Sequence, residues 1–354
     1  MWIAMDSQRL FSIVVLASAA LAALIYTAAG FAEAAAFIAL GLAYGYLLYR
    51  GKLCFATAMY GFNLPLTRAI LLSLLVAGAG AYALEAAGLV VPALPPAGFH
   101  IVVGSVIFGV GMVFAGGCIT GTMFRLGGGS LQHAFAFLGI LAGGLAGVFL
   151  TWPLAEVSMA AGFRPYLALG PHLSFLFNAA VIVALVLYLY KREGTRPFSD
   201  LKSAVYITAI LFAVVWVVQF AFFGALVTQV PLARATLYTA GLAPPETWLS
   251  FVGGLRPPYA DPLLLLVVAM LAGSAAASLW AREFLGFRRV DARTAAVAFM
   301  GGVVMGLGVW LAVGCNISGF YSAVSSLRVD GWLYGLGLFI GAQLGLRIRQ
   351  RLGI

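Results

Sequence analysis

Three cysteines, Cys54, Cys118 and Cys315, are the residues of this chain best suited to chemistry. An odd number cannot pair completely into disulfides within one chain. No CxxC occurs, and His100, His133 and His172 stand in no ligand-like spacing to them. A structural zinc site is therefore not expected, and no metal or cofactor is implied. What is left is the free thiol, a weak S–H donor with a soft, polarisable sulfur. Such a group suits a soft chalcogen ligand better than a hard oxyanion. Several in series would let a sulfur-bearing anion move with modest binding at each stop, favourable enough to enter and weak enough to leave. A salt bridge would hold a dianion too tightly. The plainer alternative is a small buried hydrophobe at each position. That accounts for one cysteine well, but poorly for why each follows a glycine-bearing break.

The charges near the cysteines are basic. Arg50 and Lys52 flank Cys54, Arg125 follows Cys118, and Arg328 follows Cys315. They would give a positive potential at the mouths of a passage, or act as ordinary interface anchors. Between Glu85 and Glu156 the only charged side chain is Arg125, and none lies between Arg293 and Arg328. A chain of buried carboxylates, the usual mark of a proton relay, is not apparent. Glu33, Glu85, Glu156, Asp261 and Asp330 fall near segment ends and are expected to be interfacial. No G-x-x-x-x-G-K-[ST] loop is present, so the chain does not hydrolyse ATP by that route.

The elements that must position the thiols are membrane helices. The chain of 354 residues is 63% hydrophobic and 9% charged, whereas a soluble domain carries about a quarter charged residues. Ten apolar segments are expected, near 10–30, 31–49, 66–90, 101–117, 130–152, 173–190, 203–223, 261–281, 294–314 and 330–346. Backbone amides must pair within the bilayer, and long apolar runs without alternation exclude a β-barrel. The fold class is thus an all-α polytopic membrane protein of nine to ten segments, some of them re-entrant.

The net charge of +9 is a topology signal and not a nucleic-acid footprint. Lys191, Arg192, Arg196 and Lys202 form one basic loop. Arg282, Arg288, Arg289 and Arg293 form a second, and Arg347, Arg349 and Arg351 close the chain. All three belong inside by the positive-inside rule. Both termini are then cytoplasmic, and the stretches 91–100, 153–172 and 224–260 lie outside.

An internal repeat centres on two of the cysteines. GSVIFGVGMVFAGGC at 104–118 matches GGVVMGLGVWLAVGC at 301–315, and after a one-residue shift Gly121, Gly139, Gly143 and Gly147 meet Gly319, Gly337, Gly341 and Gly345. The copies lie five apolar segments apart, an odd shift, so they should run in opposite directions through the membrane. Inverted repeats with broken helices near the midplane are a common transporter plan. The halves are expected at 31–152 and 203–346 within one domain. The stripes at i, i+4, i+8 allow close helix approach. Gly116, Gly117 and Gly121, with Gly314 and Gly319, flank the cysteines and can bring backbone N–H groups toward a ligand. Gly45 stands nine residues before Cys54, as Gly109 does before Cys118 and Gly306 before Cys315. A fourth copy, expected near 250, has no cysteine.

The motifs Tyr49-Arg50-Gly51-Lys52-Leu53-Cys54-Phe55, Ala115-Gly116-Gly117-Cys118-Ile119-Thr120-Gly121 and Ala312-Val313-Gly314-Cys315-Asn316-Ile317-Ser318-Gly319 resemble, in order and spacing, those of the YeeE/YedE family of prokaryotic inner-membrane sulfur-transport proteins. The segment before residue 31 reads as an extension beyond the family core. The resemblance implies thiosulfate uptake, an hourglass of helices with short re-entrant helices from both faces, and S–H···S hydrogen bonds without covalent chemistry. It implies Cys54, Cys118 and Cys315 as the path. Gly117, Gly121, Gly314, Asn316, Gly319, Arg50 and Arg125 are the expected supporting residues. A small cytoplasmic sulfurtransferase of the TusA type is the implied partner. One branch of the family is associated with selenium metabolism, and the spacing does not separate those substrates. Two other readings stay open: a membrane enzyme using one cysteine as nucleophile or persulfide carrier, and a structural subunit needing a partner for all activity.

Overall fold

The computed structural model describes residues 7–60, 63–194 and 202–353; Arg196 of the first basic loop and residues 1–6 lie outside them. The long helices are α1 (Ser7–Ala28), α2 (Ala32–Gly51), α4 (Leu64–Ala86), α5 (Phe99–Ala115), α7 (Leu131–Leu150) and α9 (Pro165–Glu193), followed by α10 (Ala204–Phe223), α13 (Pro262–Trp280), α14 (Ala292–Leu311) and α16 (Gly331–Leu352). Each coincides with one of the ten expected segments. Between them sit short helices: α3 (Phe55–Tyr60), α6 (Ile119–Gly127), α8 (Trp152–Ala160), α11 (Gln229–Ala240), α12 (Glu246–Val252) and α15 (Ser322–Ser325), with a π-helical turn at Asn316–Tyr321. Among the described residues, nine helical stretches are long and apolar enough to cross a bilayer. The chain is an all-α, multi-pass membrane protein. Leucine and phenylalanine side chains such as Leu24, Phe11, Leu176 and Phe222 stay exposed on the flanks, where lipid solvates them at no cost.

Four units share one plan: a long helix, a break, a short helix, and a second long helix. They are α2-α3-α4, α5-α6-α7, α10-α11-α13, and α14-π turn-α15-α16. The packing keeps the same pattern when the first two units are exchanged for the last two. Thus α2 packs on α13 as α10 packs on α4; α7 packs on α14 as α16 packs on α5; α1 packs on α13 as α9 packs on α4. The N-terminal helix, expected to be an extension, therefore occupies the place that α9 takes on the other side.

The glycine stripes explain how these helices approach. A Cβ on Gly139 or Gly143 would strike the α14 backbone at Phe299 or Val303, and one on Gly337 or Gly341 would strike α5 at Ser105 or Val106. Between α5 and α14 the two repeat sequences pack antiparallel on each other: Gly104 faces Ala312 and Gly301 faces Ala115, while Gly111 faces Met305 and Gly308 faces Phe108. These are self-complementary contacts, the pattern of a twofold axis.

The breaks have a common backbone device. Lys52, Gly116 and Val313 all adopt left-handed conformation, at φ 48°, 78° and 55°. Each stands two residues before a cysteine. The chain then reaches Cys118 and Cys315 in extended conformation as N-caps of the next helix. Only one of these left-handed positions is a glycine. Gly117 and Gly314 serve close approach instead: a Cβ there would lie 3.0 Å from Arg125 Nη1 and 2.9 Å from Gly319 Cα.

Candidate functional site

The three thiols are buried, with Cys54 at 1% exposure and Cys118 and Cys315 at 0%. The side chains of Cys54 and Cys118 are neighbours. They meet over Gly121, where a Cβ would stand 2.7 Å from Cys54 Sγ and 3.3 Å from Cys118 Sγ. Absence of a side chain at Gly121 is what lets two sulfurs occupy the same space. Cys118 Sγ also accepts from Gly121 N at 3.3 Å and lies 3.5 Å from Thr120 Oγ1. The sulfur thus acts as the helix cap that an oxygen usually provides. Thr57 lies beside Cys54.

Cys315 stands in a different setting. Its backbone N–H donates to Ser318 Oγ at 2.9 Å, and Ser318 Oγ donates to Gln229 Oε1 at 3.0 Å. Thr228 Oγ1 lies 3.5 Å from Cys315 Sγ. Thr228 is the N-cap of α11, the position that cysteine holds in the other three units. The fourth copy expected near 250 is therefore centred on 228. Its sequence signal is weak because threonine replaces cysteine and the left-handed glycine, Gly224 (φ 77°), sits four residues earlier instead of two. The stretch 224–260 is accordingly not wholly external: Thr228, Leu232, Ala233 and Leu237 are buried in the bundle.

The four short-helix N-termini converge. Beyond the thiol pair and the Thr228–Cys315 contact, Ile119 and Gln229 line one small crevice. Phe55 packs edge-on against Tyr321 and Phe320, with ring centroids 5.7 and 6.5 Å apart. Tyr334, whose hydroxyl donates to Gly314 O at 3.1 Å, packs on Gly319 and lies within electrostatic range of both Cys118 and Cys315. Asn316 is fully buried, and neither of its amide atoms has a partner.

Among the expected charges, Arg125 lies beside the thiol pair. Its guanidinium donates to Gly116 O, to Thr57 Oγ1 at 3.4 Å and to His133 Nε2 at 3.5 Å, and its charge acts on Cys54. A guanidinium only donates, so His133 carries its proton on Nδ1, which faces Ser130 Oγ at 2.8 Å. His133 is a neighbour that sequence spacing does not reveal. Arg125 also lines a cleft of about 400 Å³ with Tyr49, Lys52, Phe124, His133 and Glu283. Lys52 Nζ pairs with Glu283 at 2.8 Å across it. That ammonium holds the Glu283 carboxyl below the usual carboxylate range. Arg50 is exposed beside this mouth and acts on Glu283. Arg328 does not serve Cys315 as a free cation: it is paired with Asp330. Asp261 and Asp330 are the N-cap residues of long helices at segment ends, as expected, and are buried at 1% and 4% against Arg234 and Arg328, which neutralise them.

Comparison with known proteins adds to this geometry. Residues 50–344 match the profile of a family described as sulphur transport. The chain is 28% identical over 330 residues to the thiosulfate transporter TsuA of Escherichia coli K12, covering 85% of this chain and 90% of that protein. It is 27% identical over 333 residues to the thiosulfate transporter TsuA of Spirochaeta thermophila, covering 85% and 94%. A shorter similarity, 32% over 84 residues and 23% of this chain, links it to the probable transporter YedE of Salmonella typhimurium. These relatives are named for transport and not for catalysis.

Proposed function

The chain belongs to the sulphur transport family, and from that premise we propose that it carries thiosulfate across the prokaryotic cytoplasmic membrane along Cys54, Cys118 and Cys315. The observation that carries this reading is the meeting of two buried thiols over Gly121, with the third at the same convergence of broken helices. The terminal sulfur of thiosulfate accepts an S–H from one thiol and then from the next. No covalent bond is needed, and each stop binds weakly. The helices α6 and α11, nine and twelve residues long, turn their N-termini toward the thiols and add positive potential for a dianion.

The halves 31–152 and 203–346 are inverted copies in this reading. With the basic loops inside, α3 and α6 descend from the thiol pair to the cytoplasmic face, and α11 and the π turn rise from Cys315 to the outer face. Both termini are cytoplasmic. The ion enters at Cys315 and leaves past Arg125 into the cleft beside Lys52. A small TusA-like sulfurtransferase on the cytoplasmic side is the receiver that the family resemblance implies.

The test is uptake of radiolabelled thiosulfate by liposomes holding the purified chain alone. Cys54→Ala, Cys118→Ala and Cys315→Ala should each abolish uptake while the protein remains folded. Uptake surviving all three would remove the thiol path, and a mass-detected sulfur adduct required for turnover would favour a persulfide carrier. Selenate and selenite as competitors separate the selenium branch.

A further inference from the structure

We propose that Thr228 and Asn316 form an oxygen-recognition subsite at Cys315, which holds the sulfonate end of the transported anion and so fixes its orientation and selectivity. The inference rests on the transport reading and assigns it residues on α11 and the π turn.

Donor bookkeeping carries the argument. Ser318 Oγ–H is directed to Gln229 Oε1 at 3.0 Å, and Ser318 Oγ accepts from Cys315 N at 2.9 Å. Gln229 Oε1 also accepts from Thr228 N at 3.3 Å. These bonds lock Ser318 and Gln229 into each other. They leave two side-chain groups at these same two breaks, on Thr228 and Asn316, without an oxygen acceptor. Thr228 Oγ1 has only the weak sulfur of Cys315, at 3.5 Å. The Asn316 amide has no partner at either atom although the residue is 0% exposed. Cys315 Sγ stands between them and the lock, 3.5 Å from both Thr228 Oγ1 and Ser318 Oγ. A buried amide without partners is costly to fold, and each such group in a native protein calls for an explanation. An anion with one soft terminal sulfur and three oxygens satisfies the donors of this set: S–H to the sulfur, and the Asn316 N–H and Thr228 O–H to the oxygens. Threonine at the fourth break is then a chemical choice, because a hydroxyl donates to oxygen far better than a thiol does.

The experiment uses the full chain in detergent for binding and in liposomes for uptake, with thiosulfate and sulfite as probes. Sulfite carries the oxygen end without the terminal sulfur. Asn316→Leu keeps the branched outline of the side chain and removes both unpaired atoms, so the unliganded protein should melt at the same or a higher temperature. Its thiosulfate KM should rise about tenfold to a hundredfold, the loss of bonds to a charged group, and sulfite should no longer compete. Thr228→Val should raise KM severalfold, and Thr228→Ser should restore it. Unchanged thiosulfate KM and sulfite competition in both Asn316→Leu and Thr228→Val would overturn the subsite. Should Asn316→Leu fail to fold, Thr228→Val against Thr228→Ser decides alone. Loss of uptake in Cys315→Ala with intact thiosulfate and sulfite binding at Asn316 would leave the subsite standing. Wild-type protein that neither binds nor moves thiosulfate would sink the transport reading instead.

Discussion

The thiol pair at Cys54 and Cys118 and the single thiol at Cys315 are built on the same backbone device and surrounded by opposite chemistry. On one side two sulfurs flank the space above Gly121, and the charge of Arg125 acts on Cys54. On the other side a threonine replaces the second sulfur, and the next cation along the chain, Arg328, is neutralised by Asp330. The repeat therefore conserves geometry while the two halves diverge in what they offer a ligand. In the proposed path the soft, cationic side would release toward the cleft, and the side with the threonine would receive.

The sharpest way to break this comparison is at Gly121. Gly121→Ala places a methyl 2.7 Å from Cys54 Sγ and should part the thiols, lowering thiosulfate uptake by about 100-fold, the cost of a misplacement near 1 Å. Uptake at the wild-type rate would remove the pair from the path.

The two arginines come next. Arg125→Gln should lower uptake about tenfold, most at low salt, because it removes the charge acting on the inner side. Arg328→Gln should leave KM within about twofold. It should destabilise the fold by about 3 kcal/mol, because it strands Asp330 in the interior. Thermal melting together with uptake separates these outcomes.

The left-handed residues predict a smaller contrast in stability. Val313→Gly relieves a β-branched residue at φ 55° and should stabilise by about 1 kcal/mol. Gly116→Ala imposes the same strain on the other copy and should cost about 1–2 kcal/mol, read by thermal unfolding in micelles.

The smallest effect belongs to the mouth. Lys52 and Glu283 are largely exposed, at 58% and 49%, so the pair is worth well under 1 kcal/mol. Because the Glu283 carboxyl is depressed, its contribution is present above the unfolded carboxylate pKa near 4.3. It is lost as pH falls through the lower folded value. Glu283→Gln should shift melting slightly at pH 7 and not at all once both forms are protonated.

Much of this architecture is legible in the order of residues. Ten helices, the antiparallel repeat and the glycine stripes follow from hydropathy and spacing, because lipid burial and backbone approach act on residue type directly. Thr228 is not legible in that way, since the repeat preserves an N-cap position and not the cysteine that marks it elsewhere. Nor are Lys52 and Val313 legible as break residues: left-handed conformation favours glycine, and only packing forces it on the other two. Asp261 gains its partner, Arg234, from a segment 27 residues away, which no local pattern encodes.

The central claim is that the anion passes where Cys54 and Cys118 touch. Mild diamide oxidation of the purified chain in liposomes, followed by peptide mapping and thiosulfate uptake, tests it most directly. The account predicts one Cys54–Cys118 disulfide, loss of uptake in proportion to it, and recovery on addition of dithiothreitol. Full uptake with that bond in place would contradict it.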